Sequence, residues 1–189
     1  MPDINEIIQN RRSHFPKEFT GEVLPDSIIE QCLENANWAP SHKLTFPWRF
    51  VVLKGESVSS FYDLAKTDYL ENTDSINPLK LDKIEMMSAK TSHMIGIICV
   101  KSDLVPEWEE LASCAMAVQN MYLSLSQFKN AGGYWSTGLR ADKEAMREFY
   151  DCKDNEIHMG NFIMGYVEVK REVAGRELIG KYVTWEKIE

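Results

Sequence analysis

Apolar positions along the chain fall into helical and strand-like spacings that alternate from end to end. Asp3 precedes Ile4, Ile7 and Ile8, a set that predicts a first helix capped by Asp3, docked on a core and finishing near Ser13. In "PDSIIEQCLENANWAP", Ser27 and Glu30 stand at capping-box spacing, Ile29, Cys32, Leu33 and Ala36 form a buried stripe, and Pro40 ends the helix. "WRFVVLK" reads as a strand on its β-branched and aromatic content, and "HMIGIICVK" as a second strand with both faces covered. Between them, Phe61, Leu64 and Ala65, then Leu81, Ile84 and Met87, predict two helices separated by "ENTDSINP".

Pro106 opens the longest predicted helix, which runs to about Asn130 and spans about 36 Å. Leu111, Cys114, Val118, Met121, Leu125 and Phe128 make one stripe, and Ala112, Ala115 and Ala117 keep much of the remaining surface small. Burial on more than one side follows, either in the middle of a monomer core or along the seam of a dimer. Gly132-Gly133 is expected to cap that helix, with "YWSTG" a short extended or loop segment, "DKEAMREFYD" a short helix and "NFIMGYVEV" a last strand. The tail holds a candidate edge strand or arm at residues 182–185. No internal repeat is visible, so residues 1–189 are expected to form a single domain.

The formal net charge of −8 argues against nucleic acid or an anionic membrane surface as the main partner, so any anion must be held locally. The first residues lack an apolar signal region, and the longest apolar run is far too short to cross a bilayer, which implies a soluble, unsecreted, cytoplasmic protein. Cys32, Cys99, Cys114 and Cys152 show no metal-ligand spacing and read as reduced thiols, three of them inside apolar patterns. No metal site is expected.

The chemistry-bearing residues fall in two clusters. Arg11 and Arg12, followed by Ser13, stand where the first helix runs out. Cations there interact favourably with the helix dipole by about 0.3–1 kcal/mol, and the same pair can make forked, charge-assisted hydrogen bonds to a phosphate. The residues alone leave both readings open. His93 and His158, at strand starts, read as surface or hydrogen-bonded side chains, Trp108 and Trp185 as packing anchors, and Cys152 as an unactivated thiol in a polar turn.

The second cluster, "NANWAPSHKLTFPWRFVV", adds order to the first. Arginine-arginine-serine after one helix, alanine-proline-serine after the next, and proline-tryptophan before an apolar strand together resemble the nitroreductase family of flavin enzymes, in particular its small members. The likeness is densest over residues 4–53, returns at "GGYWSTG", "FIMGYVEV" and the segment from Arg176 to Trp185, and is silent over residues 54–92. It implies an α+β fold, a three-layer α/β/α sandwich with a mainly antiparallel sheet and a long buried helix, in an intertwined homodimer with FMN at the interface.

The resemblance also implies site roles. Arg11, Arg12 and Ser13 would hold the phosphate, ribityl chain and flavin edge, and Trp38 and His42 would approach the flavin of the other subunit. Trp135, Ser136 and Thr137 would line the cofactor, and Arg176 would close on its phosphate. NADH or NADPH would give hydride to the flavin, which would pass it to a nitroaromatic, quinone or similar acceptor, so no catalytic side chain is nominated. Alternatives are a reductase of enones or halogenated aromatics, or a flavin-binding or sensing protein without efficient turnover. Leu44 and Phe46 stand where many members carry asparagine and glutamine, Trp38 replaces an often polar residue, and Phe15 stands where some larger relatives have lysine. His42 or Lys43 is expected to supply the missing positive character near the ring.

Overall fold

Four strands, β1 (Trp48–Lys54), β2 (His93–Val100), β3 (Ala131–Ser136) and β4 (Glu156–Tyr166), pair antiparallel in the order β1-β2-β4-β3. The structure is a computed structural model and describes residues 3–137, 144–168, 171 and 175–186. Gly138, Asp142, Lys143 and Val169, which the sequence assigns to a loop, a helix and a strand, lie outside the described residues.

The apolar run of β2 is buried on both faces because helices cover the sheet on both sides. Ile95 and Ile97 meet Phe162 and Met164 in one core with α2 (Asp26–Asn37) and α5 (Glu107–Ser126). Met94 and Ile98 meet Ile163 in the other, under α3 (Glu56–Glu71), α4 (Pro78–Lys90) and α6 (Glu144–Phe149). The result is the three-layer α/β/α arrangement that the resemblance implies. The register of β2 on β4 slips between Gly96 and Ile98, and Gly96 is required there: a Cβ at that position would lie 2.4 Å from the Tyr150 ring.

Several sequence expectations are corrected. Helix α1 (Ile4–Asn10) stops before Arg11, and Ile4 and Ile8 are 55% and 50% exposed, because no described residue covers that side of the helix. The N-cap of α2 is Pro25 without a side-chain cap, so the Ser27–Glu30 box does not form; Asp26 in the first turn faces the positive end of the dipole instead. Helix α5 ends at Ser126, Asn130 at φ +58° supplies the left-handed turn, and Gly132 and Gly133 enter β3 rather than cap a helix. A side chain at Gly133 would meet Phe162 at 2.6 Å and Leu125 at 2.9 Å, so strand packing explains the glycine.

Strand β4 starts five residues earlier than its apolar run, since Glu156 is buried against Arg49 through two hydrogen bonds of 2.9 and 2.7 Å. That guanidinium holds the Glu156 carboxyl below its ordinary value. Within one chain, helix α5 buries Cys114, Val118, Met121 and Leu125 and leaves Ala112, Met116 and Gln119 exposed. Residues 182–185 follow a short turn (Ile179–Lys181) as exposed coil, and Trp108 and Trp185 are 67% and 86% exposed within the single chain. His93 takes the hydrogen-bonded of its two expected roles, buried between Ser92 Oγ at 2.8 Å and Asp26 Oδ1 at 3.2 Å. Cys32, Cys99 and Cys114 are buried free thiols, Cys152 is half-buried, and burial pushes the Cys32 thiol up to about 11.

Candidate functional site

Beyond α1 the backbone turns extended at Arg11 and runs along the outer edge of β3. Ser13 forms a parallel bridge with Gly133, and the His14 N–H donates to the Gly133 carbonyl at 2.9 Å. Docking on a strand edge fixes the direction of successive side chains, which a free loop would not do.

Tyr122 of α5 gathers the neighbouring groups. Its hydroxyl accepts the Trp135 N–H at 2.7 Å and lies 3.3 Å from Ser13 Oγ, while the Arg11 guanidinium sits over its ring at 4.9 Å and donates to Ser13 Oγ at 3.4 Å. Tyr122 was not singled out in the sequence, although it is the one tyrosine of the long helix and adjoins the apolar stripe at Met121.

Beside this cluster opens a cleft of about 410 Å³, lined by residues that include Ile7, Arg12, His14, Tyr122, Gly133 and Arg171. Arg12 Nη1 donates to the Gln9 and Arg11 carbonyls, both at 2.7 Å, which realises the helix-end role for Arg12, while Arg11 turns to Ser13 and Tyr122. Arg12 Nε is buried and has no hydrogen-bond partner among the described residues. A buried donor without an acceptor is costly, by about 1–3 kcal/mol, and an anion placed in the cleft would supply the acceptor. A phosphate fits that demand.

Trp135 directs its indole N–H to the Met159 carbonyl at 3.0 Å, and Ser136 pairs with Asn161 at the end of β3. Gly160, at φ +103°, lets β4 pass close to this point, since a Cβ there would stand 2.5 Å from the Ser136 carbonyl oxygen and 3.1 Å from the Thr137 methyl. Arg11, Arg12, Ser13 and Trp135 are thus brought together around Tyr122, with Ser136 and Thr137 continuing the same strand.

Trp38 and His42 stand elsewhere. Trp38 ends α2, is 78% exposed and donates from its indole to Glu34 at 3.2 Å. His42 pairs with Glu109 at the start of α5, and Lys43 donates to the Leu104 carbonyl at 2.9 Å. Glu109 and Tyr122 are separated by 13 helical positions, about 20 Å along α5. The two groups therefore stand toward opposite ends of α5. Lys43, Leu44 and Phe46 all adopt positive φ, and Ser41 Oγ holds the loop by accepting the Phe46 N–H at 2.9 Å, so the apolar Leu44 and Phe46 are presented to solvent.

Arg176 lies in the exposed segment of residues 175–186. The C-terminal cation that lines the cleft is Arg171, which the sequence showed only as one of several basic residues after β4.

Residues 8–166 match the family model described as "Nitroreductase family". YfhC of Bacillus subtilis (strain 168), provisionally named an NAD(P)H nitroreductase, is 26% identical over 184 residues, 92% of this chain and 89% of that protein. Two solved structures share the fold. A nitroreductase-like family protein from Bacillus cereus superposes with a TM-score of 0.85 at 21% identity, covering 99% of this chain and 97% of that one. A Desulfovibrio desulfuricans protein named as a nitroreductase, solved in complex with FMN, gives a TM-score of 0.77 at 17% identity over 100% and 99% of the two chains.

Proposed function

Because the chain belongs to the nitroreductase family, we propose that it is an FMN-dependent oxidoreductase that carries hydride from NADH or NADPH to a nitroaromatic, quinone or similar acceptor in alternating, ping-pong half-reactions. The observation that carries this proposal is the cleft between α1 and β3, where the buried, unpartnered Arg12 Nε stands beside His14 and Arg171 in an otherwise acidic chain. FMN, when bound, supplies the centre that takes up and releases hydride.

The residues of the chain bind and orient. Arg11, Arg12 and Ser13 hold the phosphate and ribityl end, with Tyr122 fixing Arg11 and Ser13 from below. Trp135, Ser136 and Thr137 line the ring along β3. Arg176 approaches the phosphate from the C-terminal segment. Trp38 and His42 wall the flavin held by a second copy, which accounts for their separation from the arginines along α5. The exposed Ile4 and Ile8 of α1, and the exposed Leu178, Ile179, Tyr182 and Trp185 of the tail, supply apolar surface for an intertwined homodimer. The protein acts as a single FMN-binding domain over residues 1–189 and works in the cytoplasm, where its free thiols stay reduced.

The exposed, apolar Leu44 and Phe46 favour a second reading, a flavin-binding or sensing protein without efficient turnover, while residues 54–92, over which the family likeness is silent, leave a reductase of enones or halogenated aromatics as the alternative in acceptor class. One experiment separates turnover from binding alone. The purified protein should be yellow, release stoichiometric FMN, and bleach without oxygen on addition of NADH or NADPH. Yellow protein that keeps its colour with both nicotinamides supports the binding module. Colourless protein that takes up no FMN excludes the flavin reading altogether.

A further inference from the structure

Three of the groups assigned to the cofactor meet at one phenol. Tyr122 reaches from α5 to the outer edge of β3, where Ser13 bridges to Gly133 and, two residues on, the Trp135 N–H donates to the Tyr122 hydroxyl at 2.7 Å. That hydroxyl lies 3.3 Å from Ser13 Oγ, which also accepts Arg11 Nη1 at 3.4 Å, and the Arg11 guanidinium rests on the same Tyr122 ring. Phe162 braces the ring edge-on, with 4.6 Å between centroids.

Four protons compete for acceptors in this cluster. The Trp135 N–H takes the Tyr122 oxygen, and Arg11 Nη1–H takes the Ser13 oxygen. The two hydroxyls bring one proton each, and the contact between them uses one of the two. A phenol is the stronger donor and the weaker acceptor of the two hydroxyl types, and the Tyr122 oxygen already carries an N–H, so the shared proton belongs to Tyr122 and runs to Ser13. At 3.3 and 3.4 Å the contacts to Ser13 are weak one by one, but they agree on the direction of its own proton. Both lone pairs of Ser13 Oγ are committed, its O–H has no acceptor among the described residues, and two accepted bonds strengthen it as a donor. Resting on the flavin reading above, we propose that Tyr122 is a positioning residue that acts through Ser13: it fills the acceptor side of the serine hydroxyl and so leaves Ser13 to meet the cofactor as a donor. Groups that only accept, such as phosphate or ring carbonyl oxygens of FMN, suit that O–H, whereas a ligand N–H brought to the same place meets another proton.

The test titrates apo-protein with FMN, following quenching of flavin fluorescence. Ser13→Ala should lower FMN affinity about fivefold, the scale of one hydrogen bond. Ser13→Cys, close to serine in size but a weak donor, should fall with Ser13→Ala rather than with the parent. Tyr122→Phe keeps the ring under Arg11 and should lower affinity about threefold when Ser13 is present, and not at all in the Ser13→Ala background. Its cost in urea unfolding, which comes from the Trp135 N–H, should persist in both backgrounds. That split separates positioning through Ser13 from a general loosening of β3. The proposal is overturned if parent protein binds FMN and the Tyr122→Phe loss is equal in both backgrounds, or if Ser13→Cys binds like the parent. Should Tyr122→Phe fail to fold, the comparison of Ser13→Cys with Ser13→Ala and parent decides. A parent protein that binds no FMN overturns the flavin reading and this proposal together.

Discussion

At the scale of single residues the site depends on groups whose hydrogen-bonding capacity is only partly used within the chain. Arg12 spends Nη1 on backbone carbonyls and keeps a buried Nε without an acceptor, so removing the pair takes away more than charge. Arg11→Ala with Arg12→Ala should weaken FMN retention by about 3 kcal/mol or more in equilibrium dialysis, as expected for two lost charge-assisted bonds; parent-like retention would leave the arginines with the helix-end role alone. Tyr122→Phe leaves the Trp135 N–H without its 2.7 Å acceptor and should cost about 1–3 kcal/mol in urea unfolding. His93 adds a pH dependence. Burial lowers its pKa from 6.5, opposed by Asp26, with Lys54 reinforcing the burial effect. The folded chain therefore favours the neutral ring: stability is full above the unfolded value and falls as pH drops below it, because the unfolded chain takes up the proton first. Melting temperature should decline as pH falls below about 6.5, and His93→Gln should flatten that decline.

Among elements, legibility followed periodicity. β1, β2, α2, α5 and the break between α3 and α4 were readable because long apolar patterns at one spacing admit few other answers. β3 was not, since its first residues are Ala131, Gly132 and Gly133, and the need for bare backbone against Phe162 and Leu125 exists only after the strands pair. The start of β4 was hidden by Glu156 and His158, both buried through tertiary partners. Arg11 and Ser13 were found through their motif, whereas Tyr122, His14 and Arg171 come from three separate segments and met only on folding. Gly96 gives an element-scale test. A methyl at this position would collide with the Tyr150 ring at the β2 bulge, so Gly96→Ala should destabilise by about 1–3 kcal/mol in thermal or denaturant unfolding.

On the scale of the whole molecule, the separation of the two residue groups along α5 makes a second copy part of the proposed site. Light scattering should give twice the chain mass, and Ile4→Ser with Ile8→Ser should shift the population toward single chains by stripping apolar surface from α1. Mixing offers a sharper check. A chain lacking Arg11 and Arg12, combined with a chain lacking Trp38 and His42, should form heterodimers with one site intact and the other doubly damaged. Flavin bound per mixed dimer should therefore exceed that of either variant alone; no gain would place all the contacts within one chain.

The bridge from Ser13 to Gly133 ties ligand chemistry to the rim of the sheet. The segment that offers guanidinium groups to an anion also shields the edge strand β3 from water, so occupancy of the cleft should be written into amide hydrogen exchange. Deuterium uptake over residues 131–136 should slow when FMN is added and return when it is removed, giving a label-free footprint of cofactor loading.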